Sequence, residues 1–287
     1  MKPLDLPEAI GDESPETLRL PPLISPSAII EPGAQIADDV RIGPYCVVSG
    51  RATIGRGTRL DNNVTILGDV RIGEGNRVHA NCVIGGEPQD VSYQGSRTRV
   101  VIGDRNTIRE GVTINRATEK ETGETVVGSD NFLMAASHVA HDCRVGDHVI
   151  MANGVLLGGH VRVESYASLS GGVAVHHWAT IGGWSFVAGL SRVLHDIPPY
   201  MLCEGMPARP RCVNVVALRR NGVEENWVAS LGEAHRLLYR AKVGLEAARE
   251  ILASKGMCVP PVEQVLEFAA RQKNGRHGRA LDRRRVA

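Results

Sequence analysis

Stepping by six from Ile24 lands on Ile30, Ile36, Ile42, Val48, Ile54, Leu60, Ile66, Ile72, Val78 and Ile84 without a miss. The register lapses, resumes at Ile102, Ile108 and Ile114, and lapses again. It then runs from Val127 through Leu133, Val139, Val145, Met151, Leu157, Val163, Leu169, Val175, Ile181 and Val187 to Val193. An amphipathic helix repeats about every 3.6 residues and a half-buried strand about every 2, so neither produces this spacing. A short strand and a corner in each hexad does, and such units must stack, because none can bury its apolar face alone.

Two positions before most register residues stands a small or β-branched side chain, as at Ala34, Cys46, Ala52, Val64 and Cys82. Glycine often follows the aliphatic, as at Gly43, Gly55, Gly73 and Gly85, where a corner needs positive φ or close backbone approach. The aromatic content of only 4% with 32 glycines fits a core built from small and branched residues. If three hexads close one coil, residues 18 apart are vertical neighbours at the inter-strand spacing of about 4.8 Å. Cys46 and Cys82 then lie two coils apart, too far to bridge. With no CxxC pair among the six cysteines, free thiols are expected.

The lapses at 86–99 and 115–125 are excursions from the coil, which in solenoids emerge on one edge and often build the binding face. Beyond about Pro207 the six-residue period ends. VNVVALRRNG reads as a short helix stopped by Gly222, EENWVASLGEAHRLLYRAKVGLEAAREILASKG has helical spacing, and PPVEQVLEFAARQ opens a helix with proline. The expected organisation is an extension at 1–22, flexible because of its proline and acidic content, a β-coil at 23–206 and a helical domain at 207–287. The basic tail KNGRHGRALDRRRVA is expected to be frayed and solvated.

Thirty-three Lys+Arg against 32 Asp+Glu give no global field for nucleic acid or an anionic membrane. No apolar run reaches signal-peptide or membrane-span length, so a cytoplasmic protein without membrane insertion is expected.

The candidate chemistry is concentrated in SHVAHDC, residues 137–143. Val139 holds an inward register position, so His138 and His141 are presented outward from a coil. His141 and His177 are 36 residues apart, His160 lies 19 after His141, His176 precedes His177 and Asp142 follows His141, which suggests a column of histidines along one edge. A zinc site would need nitrogens about 2.0–2.1 Å from one point, which carriers a rung apart reach only by converging. A proton-transfer pair, His141 with Asp142 as its orienter, is the other functional reading. Neighbours on a strand point to opposite sides, so that pair requires a corner.

IGGEPQD (84–90), TINRAT (113–118), GSDNFLMAASHVAHDC (128–143), GGHV (158–161), AVHHWATIG (174–182) and DIPPYMLCEGMPA (196–208), followed by VNVVALRRNG, together resemble the acyl-[acyl-carrier-protein]:UDP-N-acetylglucosamine O-acyltransferase family. The resemblance implies a mainly β fold, a left-handed parallel β-helix of hexapeptide repeats with a C-terminal α-helical domain, active as a homotrimer. It implies transfer of a 3-hydroxyacyl chain from acyl carrier protein to the 3-hydroxyl of UDP-N-acetylglucosamine, opening lipid A synthesis, with no cofactor and no metal. By the same resemblance His141 is the general base, Asp142 its orienter and Gly159 the oxyanion donor. Asp90, His138, His160, His176, His177, Asn214 and Arg220 would contact substrate. Gly189 would leave the acyl groove open, favouring chains longer than ten carbons, with Phe186 and Trp184 nearby. Ser92 and Asn221 depart from the family by replacing basic residues, and His177 stands where the family commonly has Gln. The 3-amino analogue of the sugar and a non-catalytic scaffold are the alternative readings.

Overall fold

The computed structural model describes residues 23–282. The expected flexible extension at 1–22 and the last five residues lie outside it. Within it the hexads form two-residue strands whose parallel pairing builds three sheets of nine, eight and ten strands. The first sheet runs from Ile29–Ile30 to Arg192–Val193, the second from Gln35–Ile36 to Thr180–Ile181, and the third from Arg41–Ile42 to a final hairpin. Every third strand pairs, as in Val47–Thr65, Thr65–Val83, His138–Leu156 and Leu156–Ala174. The fold is therefore a parallel β-helix of triangular section.

The register residues fill the prism: from Ile42 to Val193 each is at most 5% exposed. Each such burial contributes on the order of 1.5–3 kcal/mol, which substitutes for the long hydrophobic segments that this chain lacks. Ile24 is exposed and Ile30 and Ile36 are half-buried, since among the described residues no coil stacks beneath the first. Among the small inward residues, Thr58, Asn76, Asn106 and Asn131 form a ladder. Asn76 Nδ2 donates to Gly103 O at 2.8 Å and Asn106 Nδ2 to Asn76 Oδ1 at 2.9 Å, while Asn106 Oδ1 accepts from the Asn131 N–H at 2.9 Å. All six cysteines are free, with Cys46 and Cys82 buried in the core.

Most corners put a non-glycine residue in the left-handed region, including Asp142 at φ 61°, His160 at 63° and Trp178 at 65°. Such a conformation costs on the order of 1–2 kcal/mol and persists because both flanking strands are locked into sheets. Gly43, Gly55 and Gly73 have ordinary φ values, so close approach is their reason: a Cβ at Gly55 would lie 2.6 Å from Gly73 O. Gly85 uses positive φ, at 87°.

After Val193 the coil shortens, Ile197 bridging Ile181 and Cys203 pairing with Val187. The antiparallel hairpin Met201–Gly205 and Ala208–Val213 then carries the third sheet past 206/207, the position expected to divide coil from helices. Four α-helices follow: α1 (Val215–Arg220), α2 (Glu225–His235), α3 (Leu245–Ser254) and α4 (Pro260–Asn274). The segment read as one helical stretch is divided between α2, a π-turn and α3, because Lys242 and Gly244 take positive φ. No described helix is long and apolar enough to cross a membrane.

The described part of the tail is docked, contrary to the frayed tail expected from its charge. The Ala280 N–H donates to Asp196 Oδ2 at 2.7 Å, the Asp196 N–H donates to Gly278 O at 2.8 Å, and the Arg279 guanidinium donates to Leu194 O at 2.9 Å. A buried carboxylate at the end of the coil is what composition could not show. Burial pushes the Asp196 carboxyl up to about 6, against the pull of its Ala280 and Thr180 hydrogen bonds.

Candidate active site

His141 and Asp142 sit at the corner between the first and second sheets, after the strand His138–Val139 and before Arg144–Val145. Both excursions leave the prism at this same corner, in the two coils below: one between Val83–Gly86 and Arg99–Ile102, the other between Thr113–Asn115 and Glu124–Val127. They are tied together by Arg116, which donates to Gly85 O at 3.1 Å and pairs with Glu87 at 2.8 Å, and by Asn115 Nδ2, 2.6 Å from Glu87 O. The coil thus supplies a fixed rung, and the insertions wall one side of it.

The left-handed backbone of Asp142 breaks strand alternation and brings its carboxylate beside the preceding ring. His141 Nδ1 lies 2.8 Å from Asp142 Oδ2. Thr118, in the second excursion, donates its hydroxyl to Oδ2 at 2.7 Å and its N–H to the same carboxylate at 3.1 and 3.2 Å. The Asp142 side chain is wholly buried. Burial raises its pKa, but hydrogen bonds from His141 and Thr118 outweigh this and hold it below the ordinary carboxylate range. Asp142 therefore stays anionic, accepts from Nδ1–H, and leaves Nε2 of His141 as the free basic nitrogen.

Gly159, one rung above, is shaped to receive that ring. A Cβ there would stand 2.4 Å from His141 Cε1 and 2.6 Å from Nε2. The Gly159 N–H donates to no acceptor among the described residues, whereas its neighbours Gly158 and His160 are both satisfied, by Val175 O and His141 O. Beside the pair opens a groove of about 530 Å³, lined by Gln89, His138, His141, Leu156, Gly159 and Ala174 among others. His138 Nδ1 is 2.7 Å from Thr113 Oγ1, and burial, with the nearby His141, pushes its pKa down, so it meets the groove neutral.

The histidines occupy two adjacent columns of one corner, not a single column. His141, Gly159 and His177 share one column, and Asp142, His160 and Trp178 the other, as the pairings of Val139, Leu157 and Val175 fix. The 19-residue offset of His160 placed it one position over, behind the carboxylate. Its ring stacks flat on Trp178, centroids 3.8 Å apart at 3°, and does not line the groove. His177 is exposed, its ring 3.9 Å from that of His176.

Asp90, on the first excursion, accepts from the Ser92 N–H at 2.9 Å and its hydroxyl at 2.7 Å, and is paired with Lys120 of the second. Lys120, then Ser92, hold its carboxyl well below the usual range. A lysine thus stands against Asp90. The remaining expected residues lie apart from the groove. Phe186 lies on a third-sheet strand, Phe186–Val187, and Gly189 on the turn that follows it toward the first sheet, Asn214 donates to Trp184 O at 2.9 Å at the start of α1, and Arg220 is exposed at its end. Asn221 Nδ2 caps α1 on Ala217 O at 2.9 Å.

One ligand atom each from His141, Asp142 and His160 falls within a 4.8 Å span, the spacing a metal would use. Yet Asp142 Oδ2 already accepts from His141 and Thr118, and an ion would have to displace both. The donor set fits a hydrogen-bonded carboxylate rather than a metal.

Sequence reasoning missed Thr118 and Trp178, together with Thr125, whose hydroxyl oxygen accepts from the Asp142 N–H at 2.9 Å, and Glu121, whose Oε1 lies 3.4 Å from His160 Nδ1. Thr118 lies inside TINRAT, and the position of both excursions at the His141 corner was the available signal.

A family profile described as "Udp N-acetylglucosamine O-acyltransferase; Domain 2" matches residues 196–278, and a bacterial transferase hexapeptide profile matches 124–159. A curated acyl-[acyl-carrier-protein]–UDP-N-acetylglucosamine O-acyltransferase of Paraburkholderia phymatum is 45% identical over 256 residues, covering 88% of this chain and 98% of its own. The protein of the same name from Syntrophobacter fumaroxidans is 42% identical over 253 residues, with the same coverages. Among solved structures, LpxA from Acinetobacter baumannii superposes with a TM-score of 0.82 at 36% identity, over 85% of this chain and 95% of that one. The UDP-N-acetylglucosamine acyltransferase from Bacteroides fragilis does so with 0.83 at 34% identity, over 86% and 96%.

Proposed function

We infer the reaction from kinship: the chain belongs to the acyl-[acyl-carrier-protein]–UDP-N-acetylglucosamine O-acyltransferase family and is an acyltransferase. We propose that it transfers a 3-hydroxyacyl chain from acyl carrier protein to the 3-hydroxyl of UDP-N-acetylglucosamine, the first step of lipid A assembly, in the cytoplasm and as a homotrimer.

The observation that carries the mechanism is the fixed His141–Asp142 pair, 2.8 Å apart, with Nε2 turned toward the groove. A sugar hydroxyl cannot ionise unaided near neutral pH, so Nε2 takes its proton as the oxygen attacks the thioester carbonyl. The carbonyl π electrons move onto oxygen, and the Gly159 N–H, which donates to no acceptor among the described residues, receives that oxyanion. Collapse re-forms the carbonyl and breaks the C–S bond, and the leaving thiolate takes the proton back from the His141 imidazolium. Asp142 keeps the productive tautomer and stabilises the imidazolium between these steps. His138, which lines the groove, and Asp90 on the excursion orient the sugar, with His176 and His177 two rungs above.

Gly189, Phe186, Asn214 and Arg220 do not border the groove of their own chain. In a closed, heterologous ring a neighbouring copy brings its set against the first chain's His141 corner, so that acyl length and the nucleotide are read across the subunit boundary. Mass spectrometry of products from UDP-N-acetylglucosamine and its 3-amino analogue, each with a panel of 3-hydroxyacyl carrier proteins, tests the assignment. The proposal expects an ester on the natural sugar, and amide product alone would overturn it.

A further inference from the structure

We propose that Glu121 is a positioning residue of this reaction, forming with His160 a second imidazole–carboxylate pair behind Asp142, so that a chain of four groups, Glu121–His160–Asp142–His141, sets the basicity of the catalytic imidazole. The inference rests on His141 being the base.

The geometry is specific. His160 Nδ1 lies 3.4 Å from Glu121 Oε1, and Nε2 lies 3.8 Å from Asp142 Oδ2. Nδ1 is buried without a hydrogen-bond partner, and the ring is 6% exposed. A neutral imidazole carries a proton on one nitrogen only and would turn a lone pair toward one of these carboxylates. Only the imidazolium presents N–H to both. The flat stack on Trp178 also favours a cation, since the indole face attracts positive charge.

The charge has a direct consequence. The His160 ring centre is 5.1 Å from that of His141, edge to face. A proton resident on His160 opposes a second one on His141 and draws off part of the Asp142 charge, so His141 is kept free to accept the substrate's proton. The groups facing His160 are Glu121, Asp142, His141 and His177, with Lys120, Arg162, Arg276 and Asp282 bordering the recess on the outer side. Only Glu121 combines opposite charge with contact on Nδ1. The residue is supplied by the same excursion that supplies Thr118, so one insertion fixes Asp142 from both sides.

The test is the pH profile of kcat/KM in the full-length enzyme. Glu121→Gln should release the His160 proton, remove the repulsion on His141 and move the acidic limb up by about one pH unit, the order expected for charges 5 Å apart under partial screening. Below that limb the variant's kcat/KM falls roughly tenfold relative to the parent. Glu121→Asp should restore the limb at least in part. His160→Gln should give the same upward shift, and the double variant should add nothing further, as expected of residues acting in one chain. Melting temperatures of all variants separate loss of folding from loss of positioning. A Glu121→Gln limb that stays in place or moves down, or shifts that add in the double variant, would overturn the proposal. If His141→Ala is inactive while Glu121→Gln leaves the limb unmoved, the base stands and only the four-group chain fails.

Discussion

A single methyl group at Gly159 should disable the site without unfolding the protein. The Cβ of Gly159→Ala would stand 2.4 Å from Cε1, 2.6 Å from Nε2 and 3.1 Å from Nδ1 of His141. Carbon contacts are comfortable at about 3.5 Å or more, so the ring must retreat by roughly 1 Å. That retreat lengthens the 2.8 Å contact with Asp142 and moves Nε2 away from the hydroxyl it is proposed to deprotonate. Misplacing a reacting group by about 1 Å costs on the order of 10²-fold. Gly159 is not in the left-handed region, so the backbone accepts alanine, and the fold should melt within a few degrees of the parent. Steady-state transfer from a 3-hydroxyacyl carrier protein should show kcat reduced about 10²-fold or more at saturating UDP-N-acetylglucosamine. A variant with kcat within threefold of the parent would mean that the ring does not work from its position over Gly159, and the geometric argument would fail.

Thr118→Val removes the hydroxyl at 2.7 Å from Asp142 Oδ2 and should lower kcat about tenfold, read in the same assay, since a hydrogen bond to a charged group is worth about 1.5–3 kcal/mol. Asn106→Leu, which strands the Asn76 and Asn131 rungs of the ladder, should destabilise by about 2–4 kcal/mol in urea unfolding, as loss of a buried hydrogen-bond network does. Asp196 has a folded-state pKa raised to about 6 by burial, so the stability it contributes is full below its unfolded value and is lost as pH rises through 6. Denaturation curves at pH 4.5 and pH 7.5, values chosen to lie roughly either side of that titration, should therefore show the parent gaining on Asp196→Asn at the lower pH. Gly189→Met should shorten the preferred acyl chain, measured by product mass, if the neighbouring copy's turn limits the groove.

The period of six carried nearly all of the coil, because a solenoid repeats one local decision and an error in one hexad is corrected by its neighbours. Val139 in register also told which residues of SHVAHDC face outward. What the period cannot carry is side-chain reach across coils. Asp142 and Thr118 are brought together by an insertion of arbitrary length, and the left-handed turn at Asp142 that makes the contact with His141 leaves no mark on apolar spacing. The histidine column was misplaced by one position for a related reason: a rung is fixed by multiples of 18, and His160 is 19 from His141. The tail was read from its charge as solvated, yet one buried carboxylate, Asp196, holds it. The roles proposed for Asn214 and Arg220 come from the family resemblance alone, since nothing in the local sequence distinguishes them from any polar helix start and end.

The central claim, that His141 takes the proton under the control of Asp142, is tested most directly by single-turnover transfer with His141→Ala. Acyl carrier protein loaded with a 3-hydroxyacyl chain is mixed with excess enzyme and UDP-N-acetylglucosamine, and ester formation is followed by mass, alongside direct measurement of sugar-nucleotide affinity. The account predicts that ester formation falls by at least about 10²-fold, the lower range for loss of a general base, while nucleotide affinity stays within a few-fold. Ester formation at a rate comparable to the parent would contradict it.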